Sequence, residues 1–236
     1  MQRIMGYMRK AMDLYAMVEE GDRIAVGVSG GKDSLALLYC LAQMRRYYPK
    51  HYDLVAITLD PCFHNEPGHF EAVDALCKEL DVTYLCKPTN IGHVVFETRQ
   101  EKNPCSLCAN LRRGTLHDAA KEAGCNKLAL GHHYDDVAET YMMEFLDHGA
   151  LGCFAPVTYL TEKDITVIRP MVFAPEREIV NAVNRTGLPV VKSTCPVDKT
   201  TEREHVKQLI HDLEQDYPNL RKNILGILQK NHINGW

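Results

Sequence analysis

No apolar run in the sequence reaches the roughly 18 residues that a membrane-spanning helix needs. The N-terminal residues 1–20 break their apolar positions with Arg9, Lys10, Asp13, Glu19 and Glu20, unlike a secretory leader. A cytoplasmic address is the expectation. A basic excess is also missing, since Lys and Arg number 27 against 31 Asp and Glu, for a formal charge of −4. That excludes a polybasic protein but not a nucleic-acid partner, because a local basic patch binds phosphate on a mildly acidic chain. There is no repeat or low-complexity stretch. With 45% hydrophobic and 25% charged residues, the 236-residue chain is neither disordered nor fibrous, and its length suits one domain with a small appendage. What is plentiful is cysteine. Nine, an odd count without a leader, argue against a disulfide scaffold and for metal or catalytic use of some of them.

Periodicity predicts helices over 1–18, 35–46, 70–80, 105–123, 135–146 and 175–186, and a helical tail over 201–229 interrupted at Pro218. Gly124 and Gly187 follow two of these helices as C-terminal caps, and Pro175 opens one. Short apolar runs predict strands over 23–28, 54–59, 82–86, 127–130, 166–168 and 188–191. Alternating short strands and helices indicate an α/β fold, a parallel sheet with helices on both faces and a short helical C-terminal appendage. The expected divisions are an N-terminal helix over 1–20, a central domain over 21–192, and a loop and helical tail over 193–236. Ligands of such sheets sit beyond the carboxyl ends of the strands. The loops after Val28, Leu59 and Leu130 should therefore line one crevice, with Leu59 beside the cofactor.

Gly27-Val28-Ser29-Gly30-Gly31-Lys32-Asp33-Ser34 lies between a strand and a helix. Two glycines admit an oxyanion close to the backbone, and the helix start offers unpaired N–H groups. Ser29 and Ser34 add hydroxyls, and Lys32 adds charge. A Walker A loop would need glycine where Val26 stands and Ser or Thr where Asp33 stands, and no Gly-x-Gly-x-x-Gly is present. A plain tight turn is the competing explanation, and it leaves the serines and lysine unexplained. Ser-Gly-Gly-Lys-Asp-Ser after an apolar strand resembles the pyrophosphate loop of the PP-loop, or N-type ATP pyrophosphatase, superfamily. The resemblance implies a Rossmann-like fold and cleavage of ATP between the α- and β-phosphates to adenylate a carbonyl oxygen. It also implies that Ser29, Gly30, Gly31, Asp33 and Ser34 cradle the pyrophosphate and that Asp33 helps hold Mg²⁺.

Gly131-His132-His133-Tyr134-Asp135-Asp136 also begins a helix, with Glu139 and Thr140 one turn on. Helix capping explains the aspartates but not the histidines. No Cys or Glu at zinc-finger spacing accompanies the His pair. The motif resembles the second nucleotide-site motif of PP-loop tRNA-modifying enzymes. That implies a carboxylate orienting Mg²⁺ or moving a proton, with Gly131 and Asp135 at the cofactor and Asp136 the catalytic choice.

Cys105 and Cys108 sit three apart at a helix start, so they share a face, and the helix dipole is expected to lower their pKa. A redox pair, half a zinc site and part of an iron–sulfur site all remain open. There is no second Cys-x-x-Cys. Cys195, in a loop beside Pro196, is the candidate third thiol of a three-cysteine cluster site. Cys40, Cys77 and Cys86 read as buried small hydrophobes and Cys125 as structural, while Cys62 and Cys153 stay open. Cys-Ser-Leu-Cys-Ala-x-Leu-Arg-Arg-Gly, the two motifs above and the 15–22 segment together resemble the tRNA 2-thiocytidine synthetase (TtcA) family over residues 6–203. The resemblance implies a [4Fe-4S] cluster held by Cys105, Cys108 and Cys195. The sequence departs from the family where a further cysteine is usual, at Lys192.

Helical spacing puts Arg112 near the cysteine face, with Arg113 further round, and either could hold a phosphate or polarise a base carbonyl. Arg113 is the catalytic candidate. Arg169, Lys199, Arg203, Lys207, Arg221, Lys222 and Lys230, with Tyr217 and Trp236, suggest a basic-aromatic RNA surface, although a solvated helix face would read the same way. The expected function is an ATP-dependent, AMP-forming tRNA sulfurtransferase. Its partners would be tRNA and a sulfur donor, either a cysteine desulfurase or sulfide, and a homodimer is compatible with the sequence. The alternatives are a PP-loop ligase that adds an amine and a zinc-stabilised nucleotide-binding protein.

Overall fold

The structure is a computed structural model. It describes residues 1–63, 66–99, 104–192, 194–197 and 202–236. In chain order come α1 (Gln2–Leu14), β1 (Asp22–Gly27), α2 (Lys32–Met44), β2 (Tyr52–Asp60), α3 (Glu71–Glu79), β3 (Thr83–Pro88) and α4 (Ile91–His93), the last continuing as a π-helical stretch, Val94–Arg99. Then follow α5 (Pro104–Glu122), β4 (Lys127–Ala129), α6 (Tyr134–His148), β5 (Val157–Leu160), β6 (Ile165–Ile168), α7 (Glu176–Thr186), α8 (Glu202–Asp216) and α9 (Leu220–Lys230).

The six strands run in the order β3-β2-β1-β4-β6-β5. All neighbours are parallel except β5, which pairs antiparallel with β6. The side-chain period of two divides the strands between two cores. Ile24, Val26, Leu54, Ala56 and Ala129 join the core under α1, α2 and α7, whereas Ala25, Val55, Ile57 and Leu128 join the smaller one under α5. At the amino ends of the strands the buried Lys127 ammonium meets Asp22 at 2.8 Å.

The parallel sheet covered on both faces is as expected, with three differences. The strand expected over 188–191 is an extended segment outside the sheet. Pro189 has no N–H to give a ladder, and Val191 instead bonds the loop after β1. The sheet also contains β5, which the sequence reading missed. It is a half-exposed edge strand, and its hairpin turn, 161–164, is polar. Cys86, expected to be buried, is exposed because β3 is itself an edge strand. Cys40, Cys77 and Cys125 are buried as expected; Cys153, which the sequence left open, is buried too, and its thiol meets the Val137 carbonyl. Among the described residues no helix is long and apolar enough to cross a membrane.

Candidate active site

β1 connects toward β2 on one side, while β4 begins the other half of the sheet. The divergence opens a crevice at the carboxyl ends of β1 and β4. A pocket of about 420 Å³ fills it. Gly27, Val28, Ser29, Asp33 and Ser34 line it from the first motif, and Leu130, Gly131 and His132 from the second. Ile57, Leu59 and Leu128 form an apolar wall, and α5 closes the pocket with Ala109, Arg112, Arg113, Leu116 and His117.

The first loop is held by its own hydroxyls. The Ser29 N–H donates to Ser34 Oγ at 3.1 Å, and Ser34 Oγ donates to the Gly31 carbonyl at 2.9 Å. Gly30 has φ +82°, a conformation that favours glycine. No side chain caps the start of α2, so its first N–H groups remain available to an anion. Gly131 lets the second motif approach the first, because a Cβ there would lie 3.2 Å from the Ser34 nitrogen.

Asp33 carries two different oxygens. Oδ2 accepts from Lys32 Nζ at 2.9 Å, whereas Oδ1 is buried without a hydrogen-bond partner and lies 3.8 Å from His133 Nε2. His133 caps α6. Its Nδ1 accepts from the Asp136 N–H at 3.3 Å, and Asp136 Oδ2 accepts from the His133 N–H at 2.8 Å. An accepting Nδ1 places the neutral ring's proton on Nε2, facing Asp33.

The remaining expected site residues face elsewhere. Lys32 also pairs with Glu176 at 2.9 Å, and Glu176 with Lys207 at 2.7 Å. Burial works against the charged Lys32, but Asp33 and Glu176 outweigh it and raise its pKa. Asp135 caps α7 through the Glu176 N–H at 2.7 Å and pairs with Arg221 at 3.2 Å. Asp136 Oδ1 pairs with Arg203 at 3.0 Å. The buried Glu139 lies 3.6 Å from the same guanidinium, and burial and Asp136 raise its pKa. Glu176 was not anticipated, and nothing in its local sequence marks it.

His132 and His117 form a neutral rim. Burial and then Arg169 push His132 down to about 4, and burial and then Arg113 lower His117. The spacing of His117 from Arg113 is a helical signal that could have found it. Arg169 is structural, with its guanidinium 5.1 Å from the centre of the Phe154 ring and hydrogen-bonded to the Ala155 carbonyl at 2.6 Å. Trp236, expected on an RNA surface, is buried and donates to the Phe154 carbonyl at 2.8 Å. Arg203, Lys207 and Arg221 are likewise engaged within the chain, whereas Lys222, Lys230 and Tyr217 are exposed. Lys199 lies outside the described residues.

Cys105 and Cys108 open α5 and are half-buried, as is Cys195. The expected lowering of the thiol pKa does not occur. Burial raises Cys105, and Cys195 raises it further. Burial also raises Cys108, the Arg112 guanidinium beside it pulls the other way, and Cys195 and Cys105 add to the rise. Among the described residues, no three metal-binding side chains are already gathered closely enough to hold a metal ion. The donor set nevertheless suits an iron–sulfur cluster in kind: three half-buried thiols, two of them one turn apart at the start of the helix that lines the pocket with Ala109 and Arg112. The orphaned Asp33 oxygen and the uncapped start of α2 fit Mg²⁺ and a polyphosphate.

A family model described as a PP-loop domain matches residues 5–213. The chain is 39% identical over 233 residues to the tRNA-cytidine(32) 2-sulfurtransferase of Citrifermentans bemidjiense, covering 98% of this chain and 91% of that protein. It is 40% identical over 226 residues to the protein of the same name from Pelobacter propionicus, covering 94% and 83%. Among solved structures it resembles the U34-tRNA thiolase NcsA from Methanococcus maripaludis with its [4Fe-4S] cluster. That match has a TM-score of 0.78 at 26% identity and covers 97% of this chain and 78% of that one. The NH3-dependent NAD synthetase of Campylobacter jejuni, at TM-score 0.52 and 14% identity, shares the fold alone.

Proposed function

The chain belongs to the PP-loop domain family and, within it, to the family of the tRNA-cytidine(32) 2-sulfurtransferases, and from that premise we propose that it replaces the C2 oxygen of a tRNA cytidine with sulfur at the cost of ATP. The observation that carries the proposal is the single pocket in which both nucleotide motifs meet the helix that bears Cys105 and Cys108.

ATP lies with its β- and γ-phosphates on the loop from Ser29 to Ser34 and its base against Ile57, Leu59 and Leu128. Mg²⁺ held at Asp33 would offset the phosphate charge. Lys32 and its partner Glu176 brace that carboxylate from outside the pocket. The C2 oxygen of cytidine attacks the α-phosphorus and pyrophosphate leaves. Adenylation is required because oxygen bonded to C2 is a poor leaving group and AMP is a good one. A sulfur nucleophile then adds to C2, and AMP departs. Cys105, Cys108 and Cys195 would hold a [4Fe-4S] cluster, whose fourth iron lacks a protein thiolate and can carry that sulfur. Arg112 and Arg113 at the rim hold the RNA, with Arg113 beside the reacting base. His117 and His132, their pKa values lowered first by burial, line the same pocket as neutral rings. The base must be unstacked to enter, which favours a loop nucleotide. Residues 21–192 form the catalytic unit, and 193–236 bring the third thiol. The reaction takes place in the cytoplasm, with sulfide as donor, or with a desulfurase-derived persulfide whose S–S bond, once its outer sulfur is on C2, is cleaved by an external thiol that is itself oxidised to a disulfide.

The test uses protein reconstituted anaerobically with iron and sulfide, then given ATP, Mg²⁺, sulfide and unmodified tRNA. AMP, pyrophosphate and 2-thiocytidine are the expected products by nucleotide chromatography and nucleoside mass spectrometry. ADP with phosphate would overturn the ATP chemistry. Colourless, zinc-containing protein without thiolation would favour a nucleotide-binding role.

A further inference from the structure

The segment that carries Cys195 is tied on both flanks to the two nucleotide motifs. Upstream, the Val191 N–H donates to the Gly30 carbonyl at 3.0 Å. The Val191 side chain packs so closely that a Cβ on Gly30 would lie 2.8 Å from the Val191 Cβ. Downstream, Arg203 reaches Asp136 at 3.0 Å and the Thr140 hydroxyl at 3.4 Å. Cys195 lies between the two anchors. Among the described residues the three thiols are not yet gathered closely enough for a metal ion.

The Gly30 carbonyl and the Gly31 N–H belong to one planar peptide and point in opposite directions. That N–H now makes a long contact, 3.3 Å, to Ser29 Oγ. A phosphate that accepted from it would fix the peptide, and with it the carbonyl on which Val191 is hung. We infer that nucleotide occupancy positions Cys195 through the Gly30–Val191 hydrogen bond, so that the third thiol is held toward Cys105 and Cys108 when the loop is filled. Val191 is then a positioning residue that touches neither the nucleotide nor a metal. This deepens the proposed function and rests on its assignment of ATP to the first motif.

The experiment uses the full-length, reduced, metal-free chain with Mg²⁺ and α,β-methylene ATP, which cannot be cleaved at the bond in question. Binding is read by calorimetry. Alkylation of each cysteine by iodoacetamide is read separately by peptide mass spectrometry. Alkylation of a half-buried thiol is faster when its segment opens, and a fixed anchor suppresses that opening. The analogue should slow Cys195 by about fivefold or more, the lower end of ordinary coupling between sites, and leave the exposed Cys86 unchanged. Val191→Ala keeps the N–H and should keep the protection. Val191→Pro lacks the N–H and should bind the analogue without protecting Cys195. If the analogue binds wild-type protein and Cys195 reacts at the same rate or faster, or if Cys86 slows equally, the inference is overturned while ATP binding stands. Full protection in Val191→Pro would overturn it too. Failure of the analogue to bind would remove the ATP assignment and the inference together.

Discussion

Asp33 Oδ1 and His133 Nε2 face each other across 3.8 Å, and the carboxylate oxygen is buried with no hydrogen bond. The first motif supplies one member and the second the other, so the pair marks where the two halves of the sheet meet. A buried oxygen left unpaired is costly, and a cation or a bridging proton relieves the cost.

Asp33→Asn should therefore leave folding intact, because the residue lies in the first turn of α2 with its side chain 28% exposed and Asn is isosteric. It should lower the rate of pyrophosphate release by about a hundredfold or more, the usual loss when a charge-stabilising group is removed. Initial rates with saturating tRNA, beside a thermal melt, check both statements. An unchanged rate would remove Asp33 from the phosphate chemistry.

Anaerobically prepared Cys105→Ala, Cys108→Ala and Cys195→Ala should each lose bound iron and sulfide as well as thiolation. Cys62→Ala, Cys125→Ala and Cys153→Ala should keep both. Iron and sulfide assays decide it, and a full cluster in Cys195→Ala would show that the third ligand lies elsewhere.

Arg113 lines the pocket on the same helix as the thiols. Arg113→Ala should weaken tRNA binding and reduce the slope of log affinity against log salt by about one, the signature of one lost phosphate contact. Metal content should not change. Filter binding across a salt series measures it, and a slope equal to wild type would place Arg113 off the RNA backbone.

Lys127 and Asp22 form a buried pair, with side chains 6% and 3% exposed. Lys127→Met should destabilise the protein by about 3 kcal/mol, because it strands Asp22 as a buried charge. Asp22 would keep the Asn126 amide at 2.7 Å and the Glu19 N–H at 2.6 Å as hydrogen-bond donors. Urea denaturation measures the change, and the double variant Lys127→Met/Asp22→Asn, which removes the buried charge and keeps an acceptor oxygen, should recover much of the loss.

Two groups give the stability a readable dependence on pH. His132 sits at about 4, lowered by burial and then by Arg169. As pH falls from about 6.5 to about 4, the unfolded chain takes up a proton that the folded one refuses, and stability declines. Glu176 is pushed up by burial, but its hydrogen bonds from Lys207 and Lys32 outweigh that and bring it down to about 2. Its contribution is complete above the ordinary glutamate pKa and is lost as pH falls from there to about 2. His132→Phe should flatten the upper window of a stability–pH curve and Glu176→Gln the lower one. Both wild-type slopes surviving in the variants would contradict these assignments.

The sequence by itself determined what depends on neighbours along the chain. The glycines and serines of 29–34 mark an anion loop because helix starts leave N–H groups unpaired. The apolar periods place the strands and helices, and helical spacing puts Arg112 beside Cys108, where the structure has it. Tertiary structure decided whatever depends on which distant surface comes near. Lys32 pairs with Glu176 and Asp135 with Arg221 only because α7 and the tail fold over the nucleotide edge. Cys86 is exposed because its strand ends the sheet, and the α5 thiols are raised rather than lowered, first by burial and then, at Cys105, by Cys195. The 188–191 segment has the apolar pattern of a strand. Its bond to the loop after β1, from Val191 to Gly30, could be read only once the chain had closed on itself. Local pattern sets backbone conformation and the face a side chain occupies, while desolvation and long-range partners, set only in the folded chain, decide charge and contact.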